Sequence, residues 1–185
     1  MLLAGGESRR MGRDKATIEF DGRLLWERQL ELLRTLGPEE LFVSARTKPV
    51  WLPADVELLL DDPPSRGPLS GLTKALATMR TTHLVALAID MPFMTSEQLQ
   101  RLYELAETAR GVVPIIGDRA EPLAAVYPAE VSPDFGEVFG GTDFSLQELT
   151  RKLAFQDKIR FFPVAAREEY FFRSVNDPDD LEFNA

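Results

Sequence analysis

Residues 3–15, LAGGESRRMGRDK, place the glycine pair Gly5-Gly6 directly ahead of four cations, Arg9, Arg10, Arg13 and Lys15. Glycines let backbone approach a ligand closely, and free N–H groups after a strand can bind phosphate. Cations following such a turn suit a polyphosphate. Two familiar glycine loops are excluded by spacing. Gly5, Gly6 and Gly12 do not fit the G-x-G-x-x-G dinucleotide fingerprint, and five residues, not the four of a P-loop, separate Gly6 from Gly12, with Arg-Asp-Lys following. The plainer reading of the segment is a solvated basic loop after a tight turn.

The rest of the chain makes that cluster stand out. The 185 residues carry 21 Lys+Arg against 30 Asp+Glu, a net charge of −9, so there is no general basic footprint for nucleic acid. Any anionic ligand must be held locally, and residues 9–15 are the one dense basic stretch. With no cysteine, disulfides and thiolate metal sites are excluded. No apolar run approaches the ~20 residues that span a membrane, and no signal-peptide pattern opens the chain. A cytoplasmic protein with no membrane partner is expected.

The elements that must position the cluster read as strands alternating with helices. MLLA is a clipped first strand ending at the glycines. Apolar spacing predicts a helix over 24–36, strands at 41–45 and 56–60, and a helix over 70–80 with Ser70 as its cap. An apolar strand at 83–89 stops abruptly at Asp90. Thr95 and Gln98 form a capping-box pattern opening a helix that runs to about Arg110, with Gly111 behind it. Strands at VVPII and LAAVY follow, then a second capping box at Ser145 and Glu148, a late strand over 159–164, and a final helix started by Pro178. Several strands are apolar throughout, the pattern of a mostly parallel sheet covered on both faces. The expected fold is α/β: a single domain over residues 1–185, a three-layer α/β/α sandwich. Ligands of such folds gather beyond the carboxyl ends of the strands. GGESRRMGRDK, DDPPSRGPLSG and DMPF all belong at that end.

LAGGESRRMGRDK closely resembles the signature of the molybdenum cofactor guanylyltransferase family, within the wider nucleotidyltransferases of Rossmann-like fold. The resemblance continues in order through GPLSG at 67–71, DMPF at 90–93, EPLAAVY at 121–127 and VNDPDDL at 175–181. It implies an enzyme that joins GMP from GTP to molybdopterin-bound molybdenum and releases pyrophosphate, with Mg²⁺ as cofactor. GTP and molybdopterin are the implied partners, with a molybdoenzyme or cofactor-handling protein as a further one. The resemblance also implies roles. The backbone at Leu3, Ala4 and Gly5 meets the nucleotide, and Gly6 continues the phosphate loop. Lys15 contacts phosphate, and Asp90 binds Mg²⁺. The acidic position before GPLSG falls on Asp61 or Asp62. Asn176 falls on a C-terminal asparagine near the site. The chain departs from the family at Ser44 and Arg46, where asparagines are common, and at Ser174.

The implied chemistry asks little covalent work of the protein. A phosphate already ionised attacks the α-phosphorus, so the task is to hold two anions together and neutralise developing charge. Asp90 at a strand end suits Mg²⁺, which takes hard oxygens and only one or two carboxylates; its plainer reading is a turn residue before Pro92. Arg10 can clamp a phosphate bidentately. Gly67, in GPLSG, brings backbone to base or ribose, although a turn and helix cap would also explain that motif. Asp61 and Asp62 can accept from guanine or ribose, or serve as a polar strand exit. His83 reads as a satisfied histidine, and Phe161-Phe162 and Phe171-Phe172 as core. The alternatives are transfer from CTP or to another phosphate acceptor, and a nucleotide- or cofactor-binding module without catalysis. The resemblance implies guanine rather than cytosine, because relatives that use CTP tend to carry Ala-Gly where this chain has Gly5-Gly6, and Lys15 with Asp90 favours catalysis.

Overall fold

A computed structural model describes residues 1–5, 14–176 and 180. The strands are β1 (Leu2–Leu3), β2 (Glu19–Phe20), β3 (Arg23–Leu24), β4 (Phe42–Ala45), β5 (Glu57–Leu60), β6 (His83–Ala88), β7 (Gly111–Ile116), β8 (Arg119–Ala120), β9 (Ala124–Pro128) and β10 (Ile159–Pro163). The helices are α1 (Leu25–Thr35), α2 (Pro68–Thr78), α3 (Ser96–Leu105), α4 (Ser132–Phe139) and α5 (Leu146–Phe155). The main sheet runs β10-β7-β9-β6-β1-β4-β5 with β8 beside β7, while β2 and β3 form a separate hairpin.

The mostly parallel expectation holds. β5, β4, β1 and β6 are parallel neighbours, and β10 is parallel to β7. Only β9 runs against its neighbours β6 and β7 along the main path. The connection from β7 through β8 to β9 is too short for the helical crossover that parallel pairing needs. β1 is two residues long yet central, pairing Leu2 with Val43 of β4 and with Leu87 of β6.

Alternation along the strands sends successive side chains to opposite faces. Leu2, Val43 and Leu87 pack with Leu30 and Leu33 of α1 and Leu99 and Leu102 of α3. Leu3, Phe42 and Ala86 pack with Leu69 and Leu72 of α2, Phe135 of α4 and Leu149 of α5. The result is the expected three-layer α/β/α arrangement.

Three boundaries differ from the sequence reading. α2 begins at Pro68, with Gly67 as N-cap at φ 62° and no side-chain cap bond. Ser70 therefore lies inside the first turn, where its hydroxyl accepts the Arg66 N–H at 2.7 Å. α3 is capped by Thr95 as read but stops at Leu105. Glu107 and Arg110 instead close a tight turn through two 2.9 Å backbone bonds, with Ala109 at φ 61°. Gly111 is thus the first residue of β7, not a helix stop. There a Cβ would lie 2.2 Å from the Val126 carbonyl oxygen, so close strand packing explains the glycine. Ser145 caps α5, accepting from the Glu148 N–H. The helix read from Pro178 lies outside the described residues.

Candidate active site

Because β1, β4, β5 and β6 are parallel, their carboxyl ends open on one edge of the sheet. At three of these ends the first residue past the strand donates a backbone bond to a neighbouring segment. Ala4 N–H donates to Ser44 (2.8 Å), Asp61 N–H to Ala45 (3.1 Å) and Ile89 N–H to Leu3 (3.0 Å). A hollow of about 110 Å³ lies over these ends, lined by Leu3, Ala4, Gly5, Lys15, Ser44, Asp61, Gly67 and Asp90, with Pro68, Ala88, Ile89 and Leu123 completing it. A larger hollow of about 350 Å³ sits at the opposite edge, against Leu33, Phe42, His83 and Tyr103. It touches none of the glycine, lysine or aspartate positions singled out above, and His83 there bonds Thr82 and the Glu107 carbonyl.

Lys15 opens a short 3-10 turn, Lys15–Thr17, capped by the Asp14 side chain. Its ammonium donates to three oxygens: Asp90 Oδ2 at 3.0 Å, the Val175 carbonyl at 3.1 Å and Asn176 Oδ1 at 2.9 Å. The Lys15 and Asp90 side chains are 13% and 22% exposed, so the pair is sheltered from bulk water, where an exposed ion pair would contribute little. Asp90 is held by its own turn. Gln29, buried on α1, donates to the Met91 carbonyl at 2.6 Å, Arg28 donates to the Pro92 carbonyl at 2.8 Å, and Val175 N–H donates to the Asp90 carbonyl at 2.8 Å. Phe93, two residues past the following Met91, packs edge-on to Phe20. The donor set around the ammonium fits Mg²⁺ chemically: a carboxylate, an amide oxygen and a backbone carbonyl, all hard oxygens converging on one cation. Among the described residues no cluster of three or more acidic or histidine side chains gathers as a dedicated metal cage.

Asp61 and Asp62, inseparable by sequence, part company in the structure. Asp61 faces the hollow, its Oδ1 accepting from Ser44 Oγ at 3.3 Å and its Oδ2 from Ser65 Oγ at 2.7 Å. Asp62 turns outward and pairs with Lys74 at 3.0 Å, as successive residues leaving a strand must. Glu121, in the EPLAAVY motif, is partly buried, and that burial pushes its carboxyl above the ordinary range; Arg119 opposes the shift and Asp90 adds to it. Tyr127 is fully buried, which pushes its phenol up, and its hydroxyl donates to Pro122 at 2.8 Å, bracing the turn that presents Leu123. Gly6, Arg9, Arg10 and Arg13 lie outside the described residues, as do Asp177 and Asp179. Of the remaining sequence candidates, Leu3, Ala4, Gly5, Lys15, Asp61, Gly67, Asp90 and Asn176 come together at this edge, and Asp62 does not. Gln29, Ser65 and Leu123 had no signal of their own in the sequence, since their value lies in what they touch.

Backbone at Gly5 and Gly67, an ammonium and oriented oxygen acceptors thus meet at the strand ends of a parallel sheet, the end at which ligands of such folds gather. The chain belongs to the MobA-like NTP transferase family, whose domain matches residues 1–156, and it is a nucleotidyltransferase. It is 32% identical to a probable molybdenum cofactor guanylyltransferase of Opitutus terrae over 184 residues, covering 98% of this chain and 91% of that protein. It is also 32% identical to the molybdenum cofactor guanylyltransferase of Cereibacter sphaeroides, with 98% and 92% covered. Among solved structures, molybdopterin-guanine dinucleotide biosynthesis protein A from Archaeoglobus fulgidus superposes with a TM-score of 0.78 at 25% identity, over 97% of this chain and 93% of that one.

Proposed function

We propose that this protein transfers GMP from GTP to the terminal phosphate of the molybdopterin cofactor. An oxygen of that phosphate forms a bond to the α-phosphorus, the bond from the α-phosphorus to the bridging oxygen breaks, and pyrophosphate leaves with the electron pair. The attacking oxygen is already anionic, so no proton need be removed from it. The observation that carries the reading is the meeting of Lys15, Asp90 and Asn176 beside Gly5, Asp61 and Gly67 at one sheet edge.

In this reading the backbone at Leu3, Ala4 and Gly5 receives the nucleotide, and Gly67 borders it. Asp61 rather than Asp62 accepts from the base or ribose, because Asp61 alone of the two faces the hollow. Lys15 moves its ammonium from Asp90 and Asn176 to the phosphates. Asp90 is the carboxylate for Mg²⁺, and Asn176 stands beside it on the cofactor side. When bound, the metal supplies charge neutralisation at the phosphate oxygens. Arg10, on the glycine-arginine segment, is assigned to phosphate clamping from its place in the motif.

The names of the relatives support guanine as the base, and GTP is expected to outperform CTP by at least about tenfold in kcat/KM, or about 1.4 kcal/mol of transition-state binding. The test is a panel of GTP, CTP, ATP and UTP with Mg²⁺ and molybdopterin, reading the dinucleotide product by mass. Equal use of GTP and CTP, a preference for CTP, or no dinucleotide product from any nucleotide would overturn the reading.

A further inference from the structure

Ser65 makes two bonds that meet at the hollow. Its hydroxyl donates to Asp61 Oδ2 at 2.7 Å and accepts the Gly67 N–H at 3.1 Å. A serine hydroxyl has a single proton to give, and the Gly67 N–H can only donate. The hydroxyl is therefore locked in direction, proton towards Asp61 and lone pair towards Gly67. On the other oxygen of Asp61 the donor is Ser44, at 3.3 Å. Ser44 is itself 3% exposed and is reached by α2 at a glycine: a Cβ on Gly71 would stand 2.2 Å from Ser44 Oγ. Each carboxylate oxygen thus holds one hydroxyl donor. The plane of the carboxylate is set from both sides, and Asp61 lines the hollow in that orientation.

We propose that Ser65 is a positioning residue for nucleotide recognition. It holds the Asp61 carboxylate and the Gly67 backbone in one fixed relation, so that both meet the nucleotide without rearrangement, and Ser44 seconds it from the opposite oxygen. The proposal rests on the reading that Asp61 accepts from a bound nucleotide. Preorganisation of this kind acts on binding more than on the chemical step, because the groups it fixes lie away from the reacting phosphorus.

The experiment is equilibrium binding of GTP with Mg²⁺ to the full chain by calorimetry, with steady-state kinetics alongside. Ser65→Ala should weaken GTP binding and raise KM for GTP about tenfold, the scale of losing a hydrogen bond to a charged group, while kcat stays within about twofold of wild type. Ser65→Thr retains the hydroxyl and should restore binding. Ser44→Ala should show the same pattern more weakly, because its bond is the longer one. A general structural defect would lower kcat through lost active protein and would not be rescued by threonine. Should Ser65→Ala fail to fold, Ser44→Ala carries the test, since it removes a donor from Asp61 and leaves Gly67 untouched; unchanged GTP binding there overturns the proposal. Wild-type binding of GTP with Ser65→Ala binding equally well overturns this proposal alone. Failure of the wild-type protein to bind GTP overturns it together with the reading it rests on.

Discussion

Lys15 is the residue on which the site turns. Its ammonium sits among Asp90, Val175 and Asn176, where a divalent cation would find its own preferred ligands. A lysine is a compact point charge on a flexible stem, so it can leave these oxygens for phosphate. Lys15→Ala should therefore abolish most turnover. Lys15→Met should bind Mn²⁺ several-fold more tightly than wild type in the absence of nucleotide, as read by electron paramagnetic resonance. Unchanged Mn²⁺ affinity would mean that ammonium and metal do not share these oxygens. Asp90→Asn, folded by circular dichroism, should lose on the order of 10²-fold in kcat, the scale of removing a main electrostatic stabiliser. Near wild-type activity at saturating Mg²⁺ would overturn the proposed role of Asp90 as the carboxylate for the metal.

α2 and the loop before it show why GPLSG is built as it is. Gly67 takes φ 62° and ψ −139° at the N-cap, a region near the one essentially confined to glycine that costs other residues on the order of 1–3 kcal/mol. Gly71 lets the helix touch Ser44, Leu3 and therefore the sheet. Gly71→Ala should destabilise by roughly 1–3 kcal/mol in urea unfolding, the usual cost of overpacking, and weaken GTP binding through Ser44. The element bearing Lys15 is anchored differently. The chain's two tryptophans, Trp26 and Trp51, stack at 5.4 Å, and Trp51 Nε1 donates to Asp14 Oδ2 at 3.2 Å, one residue before Lys15. Adding GTP with Mg²⁺ should change intrinsic fluorescence, and Trp51→Phe should remove most of that change. A flat titration of the wild-type protein, with GTP binding confirmed by calorimetry, would show that the turn does not move.

Across the whole molecule, the site joins segments from both halves of the chain, so a ligand held there should tie the fold together. GTP with Mg²⁺ at about 100 times its Kd should stabilise by about 2.7 kcal/mol, seen as a rise in Tm that CTP at the same concentration does not match; equal shifts would place the recognition on phosphate alone. Much of this architecture was legible beforehand. The apolar strands, the caps at Thr95 and Ser145, and the order of the motifs follow from local periodicity and local hydrogen bonding, which neighbouring residues impose on one another. The resemblance then named Lys15, Asp90 and Asn176 individually. Their meeting was a different matter, since Lys15 reaches across 75 positions to Asp90 and 161 to Asn176, and no local pattern encodes a contact of that span. The reversal of β9 was readable only once its neighbours were known. The choice between Asp61 and Asp62 needed the direction in which β5 leaves the sheet, and the role of Ser65 needed the positions of both Asp61 and Gly67. Sequence by itself determined the apolar strands, the capped helices and the edge at which the strands end, whereas the β2–β3 hairpin, β8 and α4 came only with the structure. Tertiary structure alone decided which side chains share that edge, because strand order and side-chain facing are properties of the closed sheet and not of any one segment.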